Sequence, residues 1–415
     1  MAIVKPFRGL RPPAEHVEET ASLPYDVMNS AEAQQMAAGK PRSLLHITRA
    51  EIDCSPGTDI HSDEVYGQAV KNFERFKNEG WLKFDDGDCF YIYAQTMNGR
   101  TQYGIVGAAA VDDYWNGIIR KHELTRPDKE EDRMVLTRHL NANIEPVFFS
   151  YKAVPEIDAI VQYITENQKA EYDFVAGDGF GHTLWVIRDS AINGRLEYLF
   201  EHQVPFTYVA DGHHRTAAAA RLGQEKRAQN TQHSGSEPYN YFMAVHFPDN
   251  QLQIIDYNRL VKDLNGYDTE GFLQALSERF TIEPMGESVY RPNQLHTFSL
   301  YIDKVWYKIT ALPGSYDDSD PIAVLDVTIL SRQILEPILN IVDLRTSDRI
   351  DFVGGIRGLE ALAQRVDSGE MRAAFALYPV SMEQLINIAD SGNIMPPKTT
   401  WFEPKLRSGL VIYNL

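Results

Sequence analysis

The pentapeptide Asp211-Gly-His-His-Arg215 joins two runs of opposite character, and that junction constrains the fold more than any other stretch. Upstream, Val204-Pro-Phe-Thr-Tyr-Val-Ala210 is short, apolar and rich in β-formers, which predicts a buried strand. Downstream, the alanine-rich run from Thr216 to Leu222, with Gly223 behind it, predicts a tightly packed helix and its C-cap. A strand, a two-residue turn and a helix start leave backbone N–H groups unpaired at the positive end of the helix dipole, where an anion is stabilised. Arg215 adds a forked cation suited to phosphate, and His213 and His214 can donate hydrogen bonds or share a proton. Singly, each residue has an ordinary structural use: Asp211 as a cap, Arg215 in water, the histidines in packing. Together, Asp211, Gly212, His213, His214 and Arg215 predict a phosphate cradle.

Length and charge narrow the rest. A chain of 415 residues holds two or three domains. A formal net charge of −18, with no Lys/Arg-rich arm, argues against a nucleic-acid partner, since neutralising phosphates takes a basic face. No apolar run is long enough to span a bilayer, and the opening Met-Ala-Ile-Val-Lys-Pro lacks a signal-peptide core, so no membrane partner is expected. With Cys54 and Cys89 the only cysteines, neither a disulfide framework nor a thiolate metal site is expected, and the cytoplasm is the expected compartment.

Along the chain, proline-rich Ala2 to Val27 predicts an irregular surface segment in which Tyr25 and Asp26 either wrap the surface or wall a site. Leu44 to Thr48 reads as a strand, and Val65, Ala69, Phe73 and Phe76 as the core stripe of a helix. Asn98-Gly99 predicts a hairpin turn. Ile118-Ile119 leads into Arg-Lys-His-Glu, so His122 and Glu123 stand just past a strand, where a carboxylate can serve as a general base or bind a metal; flanking Lys121 and Arg126 equally allow a solvated ion pair. His182 opens the strand to Arg188, Gln224 to Pro238 reads as a loop or domain joint, and Tyr241–Phe247 with Leu252–Asp256 as a hairpin. Leu325 to Ile341 predicts a long amphipathic helix that Pro337 either kinks or divides into two segments. The proline-stiffened stretch from Met395 carries Lys398 and Lys405, as a substrate wall or a clamp over the core.

Pro6-Phe-Arg-Gly-Leu10, Pro24-Tyr-Asp-Val27, His122-Glu123, Arg133, His182-Thr-Leu-Trp185, the Asp211 turn, Leu325-Asp-Val327 and Met395-Pro-Pro-Lys398 recur in this order in the bacterial family catalogued as domain of unknown function 1015, which the chain resembles nearly throughout. Its middle also resembles the ParB/sulfiredoxin-like group, and within it the free serine kinases, which carry a His-Glu segment ahead of an Asp-Gly-His-His-Arg turn. The resemblance implies a mixed α/β (α+β) fold with a ParB/sulfiredoxin-like core at 104–225, an N-terminal α/β segment at 1–103 packing on it, and a C-terminal α/β domain at 226–415. It implies phosphoryl transfer on free serine or phosphoserine, with ADP or AMP as co-substrate, Glu123 as base or acid beside His122, His213 and His214, and the Asp211 turn on the phosphate. Tyr25, Asp26, His182, Arg259, Lys398 and Lys405 are candidates for the substrate wall. Asn258 stands where the family pattern has a histidine before Arg259. Phosphoryl transfer needs positioning and charge neutralisation, so Mg²⁺ is expected on the phosphates, through waters and a carboxylate such as Asp211. The competing class is a non-catalytic nucleotide-binding regulator using the same turn.

Overall fold

A computed structural model describes residues 1–415, and the chain divides into two compact units, Met1–Leu252 with Pro404–Leu415 and Gln253–Glu403. The mixed α/β class read from the sequence is the class that forms. The division differs from the three expected segments. A cut at 103 would fall inside a strand, Arg100–Ala110, that is paired on both sides, and the second unit begins at Gln253 rather than near 226.

The first unit is built on one nine-stranded sheet: β1 (Val4–Lys5), β2 (Phe90–Met97), β3 (Arg100–Ala110), β4 (Ile119–Arg120), β5 (Val147–Tyr151), β6 (Tyr172–Val175), β7 (Gly181–Ile187), β8 (Thr207–Asp211) and β9 (Tyr241–Pro248). Their order is β4-β8-β5-β9-β3-β2-β7-β6, with β1 also on β3. Most pairs are antiparallel, but β4 with β8 and β5 with β9 run parallel. β2 and β3 form the hairpin predicted at Asn98-Gly99, whose φ angles of 52° and 77° are those of a tight turn following the strand twist.

Five helices matter for the site: α1 (Asp63–Asn78), α2 (Pro127–Leu140), α3 (Pro155–Asn167), α4 (Ser190–Gln203) and α5 (His213–Gln229). The stripe of Val65, Ala69, Phe73 and Phe76 on α1 is buried with Leu136 and Leu140 of α2. Ile157 and Ile164 of α3 and Leu196, Leu199 and Phe200 of α4 pack on Phe90, Ile92 and Ile105. Ala217 and Ala220 of α5 pack on Val147, Phe149, Val209 and Ala244. Burying a Leu, Ile or Phe contributes about 1.5–3 kcal/mol, so these clusters fix where the strand ends meet.

Three local expectations are corrected. Leu45–Thr48 is a helical turn, not a strand, its Leu45 and Ile47 both buried. Gly223 does not end α5; a Cβ there would lie 2.7 Å from the Tyr239 carbonyl oxygen, so this glycine serves close approach inside the helix. Ile254 bridges Phe402 rather than hairpinning back onto the Tyr241 strand.

The second unit contains a six-stranded, all-antiparallel sheet in the order Phe280–Gly286, Val305–Ala311, Thr297–Ile302, Ala373–Ala376, Tyr257–Val261, Ile350–Gly354. Leu260, Tyr301, Trp306 and Ala374 pack there with Leu362 of the helix Glu360–Asp367. The predicted long helix after Leu325 is a turn, Asp326–Leu330, followed by a π-helical segment, Ser331–Leu335, that stops before Pro337, since proline lacks the N–H that a continuing helix needs. Entry to and exit from this unit meet: Ile254 bridges Phe402, and the Ile255 N–H donates to the Trp401 carbonyl at 3.0 Å.

Candidate functional site

The site follows from one parallel strand pair. Ile119 and Arg120 of β4 register with Thr207 and Tyr208 of β8, so the segments that follow, residues 121–126 and the Asp211 turn, leave the sheet at the same edge. C-terminal ends of parallel strands are where α/β sheets present ligand-binding groups. β5 runs antiparallel beside β8, which brings its lead-in, Glu145-Pro146, to that edge as well. The register shifts between Val209 and Asp211, a bulge that turns Asp211 out of the plain strand alternation.

Gly212 caps α5 with φ of 89°, a left-handed conformation costly for side chains with a Cβ. A Cβ there would also come within 3.2 Å of the Arg215 guanidinium carbon. The helix starts with the Thr216 N–H donating to the Gly212 carbonyl at 2.9 Å, so the N–H groups of His213, His214 and Arg215 have no intrahelical acceptor. Helix and turn therefore form the geometry predicted from the pentapeptide.

Charge is concentrated here. Arg215 is buried; its Nη2 donates to Asp211 Oδ2 at 3.1 Å, its Nη1 donates to the Pro146 carbonyl, and its buried Nε has no partner. Lys405 Nζ donates to the other oxygen of Asp211 at 3.2 Å. Burial alone would raise the pKa of Asp211, but Lys405 and Arg215 outweigh it and hold this carboxyl below its usual range. Burial likewise opposes the charge on Arg215, and the carboxylates of Asp26, Glu145 and Asp211 more than compensate, keeping it cationic.

His122 and His213 are both buried. Burial pushes His122 down to about 4, against the favourable field of Asp211. Burial, then the neighbouring His122, holds His213 well below the ordinary imidazole value. Their rings meet edge to face, 4.6 Å between centroids. Both are neutral at neutral pH. His214 is also lowered by burial, and its Nε2 accepts the Arg126 N–H at 3.1 Å, so Nδ1 carries its proton. Glu123 comes to the same place. Its Oε2 is 3.9 Å from Nδ1 of His213, and 41 % of its side chain is exposed, so solvent and a small molecule can reach the carboxylate.

The remaining candidates scatter. Tyr25 is buried, its N–H donating to Glu145 Oε1 at 2.9 Å and its ring 3.8 Å beneath the Arg133 guanidinium. Asp26, next to it, is exposed and near enough to favour the charged forms of Arg215 and His214. His182 is engaged elsewhere in the unit: its Nδ1 bonds Tyr93 Oη at 2.7 Å, its Nε2 accepts from Arg407 Nε at 3.1 Å, and burial pushes it down to about 3. Arg259 and Lys398 belong to the second unit, where Arg259 Nη2 donates to the Lys398 carbonyl at 2.9 Å and burial draws Arg259 down to about 10.

Two residues of the first unit, Glu145 at this edge and Arg407 beside His182, escape a reading of the sequence. The side chain of Glu145, in the strand lead-in, is buried with its Oε2 3.7 Å from Arg133 Nη1, and burial raises its pKa despite Arg215 and Arg133. Arg407 ties His182 to Asp178. Neither has a local pattern; only a carboxylate directly before Pro146 at a strand start hinted at the first.

Asp211, proposed above for Mg²⁺, has both oxygens taken by cationic side chains. The group with ligand geometry is His122, Glu123 and His213, whose donor atoms all lie within 4.8 Å of one another. Two imidazoles and one carboxylate do not fit Mg²⁺, which favours oxygen ligands.

A family model described as "Protein of unknown function (DUF1015)" matches residues 4–328. No curated protein matches the sequence. Among solved structures, the chain is similar to a free serine kinase in complex with AMP, at 13% identity, 74% of this chain, 91% of that one and a TM-score of 0.35. It is similar to SbnI with C-terminal truncation from Staphylococcus aureus, at 12%, 74%, 85% and 0.37. A conserved hypothetical protein from Pyrococcus furiosus gives 13%, 74%, 95% and 0.33.

Proposed function

The chain belongs to the DUF1015 family, and we propose that it moves a phosphoryl group to or from the hydroxyl of free serine, with ADP or AMP as the nucleotide partner. The observation that supports this most is the meeting of a half-exposed carboxylate, Glu123, with a phosphate-type helix start at one sheet edge, 3.9 Å from His213. The unpartnered, buried Nε–H of Arg215 supports it too, because a buried donor without an acceptor costs roughly 1–3 kcal/mol that an arriving phosphate oxygen offsets.

In the kinase direction a bond forms between the serine oxygen and the β-phosphorus of ADP. The bond from that phosphorus to the oxygen bridging to the α-phosphate breaks, and Glu123 takes the hydroxyl proton. AMP leaves. In the opposite direction protonated Glu123 returns the proton to the departing serine oxygen, while AMP or water receives the phosphoryl group. The helix N–H groups and Arg215 neutralise charge spreading over the phosphoryl oxygens, each such donor accounting for about 10²–10³ in rate. A placed carboxylate contributes about 10²–10⁴. Serine as the hydroxyl rests on the motif resemblance described above.

The test is incubation of the purified protein with phosphoserine, alone and with AMP, and with serine plus ADP, all with Mg²⁺ in the buffer, reading free phosphate and nucleotide by chromatography. Turnover that falls by about 10²-fold or more in Glu123→Gln is expected. No change in phosphate or nucleotide, or equal turnover by Glu123→Gln, ends the proposal; nucleotide-dependent stabilisation without turnover would assign the turn to a binding protein instead.

A further inference from the structure

We propose that His122, Glu123 and His213 form a binding site for a divalent first-row transition-metal ion of the zinc class. Two lines of observation converge on it. The ligand atoms of these three side chains all lie within 4.8 Å of one another, and Glu123 Oε2 is 3.9 Å from Nδ1 of His213. His213 is buried, 7 % exposed, and its Nε2 has no hydrogen-bond partner. Nδ1 of this buried imidazole faces the Glu123 carboxylate at more than hydrogen-bond distance and its Nε2 is unsatisfied, a polar arrangement that an ion completes. Closing the donors by roughly 1 Å brings them to the separations set by metal–ligand bonds of about 2.0–2.2 Å.

The donor set decides the class of ion. Two nitrogens and one oxygen suit zinc, iron or cobalt, whereas magnesium and calcium favour oxygen ligands. Three protein ligands at a site whose carboxylate faces solvent leave coordination positions open, the pattern of a catalytic rather than a structural centre. An ion bound through Oε2 leaves Oε1 of Glu123 for a proton, so metal binding and the proton role are compatible. Asp211 is outside the set because Arg215 and Lys405 hold both its oxygens.

Binding is measured without substrate, so the result does not depend on the proposed reaction. Chelator-treated, dialysed full-length protein is titrated with Co²⁺, whose visible absorption reports nitrogen ligation, and then with Zn²⁺ in competition. The expected result is absorption saturating at one equivalent, displaced by Zn²⁺ but not by Mg²⁺. Glu123→Gln, at a half-exposed side chain, should weaken binding by more than about 10-fold, the loss that even an outer partner of a metal ligand causes. His213→Asn should do the same, and if that variant misfolds, Glu123→Gln still decides the question. His202→Ala, an exposed histidine on α4, should bind as the parent does. Equal Co²⁺ affinity in Glu123→Gln, loss of absorption in His202→Ala, or displacement by equimolar Mg²⁺ overturns the site. A protein that binds the ion and turns over nothing keeps this inference and loses the phosphoryl-transfer reading; turnover with no ion bound does the reverse.

Discussion

His246 lies in the middle of the sheet of the first unit, on β9, with its Nδ1 3.2 Å from the Ile105 carbonyl and the rings of Phe149 and Phe200 against it. Burial pushes it from 6.5 down to about 4, opposed only by that hydrogen bond. The unfolded chain therefore binds the proton first. The stability this group contributes is complete above 6.5, declines as pH falls towards 4, and is level below it, at about 1.4 kcal/mol per pKa unit. Melting temperatures of His246→Leu across that window should fall less steeply than those of the parent; identical slopes would remove His246 from the acid response. The same scale shows where sequence reading works and where it stops. The residues of the Asp211 turn stood out because five unlike groups in a row at a strand-to-helix switch have few uses. Glu145, Lys405 and Arg407 act through partners far away along the chain, Tyr25, Asp211 and His182, and only Lys405 carries a local signal, the prolines that stiffen its surroundings.

Among elements, the stretch Pro404–Leu415 does the most cross-linking in the first unit. Gln95 Nε2 donates to the Lys405 carbonyl at 3.0 Å, Lys405 meets Asp211, Arg407 meets His182 and Asp178, and Tyr413-Asn414 pairs with Ala142-Asn143. Arg407 and His182 are buried, so removing the guanidinium leaves a nitrogen of His182 unsatisfied, while exposed Asp178 turns to water. Arg407→Met should destabilise the first unit by about 1–3 kcal/mol, the cost of leaving a buried acceptor unsatisfied; a change in urea midpoint worth less than about 0.5 kcal/mol would place Arg407 among the inconsequential surface ion pairs. Elements with strong local signals were legible: the Asn98-Gly99 hairpin, the stripe of α1 and the strand ending in Asp211. The parallel pairing of β4 with β8 was not, since a two-residue strand such as β4 carries no local signature of its partner, and it is that pairing that brings Glu123 to His213. Gly223 misled for a related reason: a glycine needed for contact with Tyr239 looks in sequence like a glycine that ends a helix.

For the whole molecule, the second unit is an insertion whose two ends pair with each other through Ile254 and Phe402. A segment closed in this way carries its own sheet and core, so residues 253–403 expressed alone should show a cooperative thermal transition. Joining Leu252 to Pro404 through a short glycine-serine link should leave the first unit folded, with β-rich circular dichroism and a transition of its own. A molten product from either piece would mean that the units do not fold by themselves. The same arrangement sets an order of events in the living cell. The ammonium group that faces Asp211 emerges from the ribosome only after the entire inserted unit has been made, so a growing chain carries an acidic, unfinished version of this pocket until Lys405 arrives to complete it.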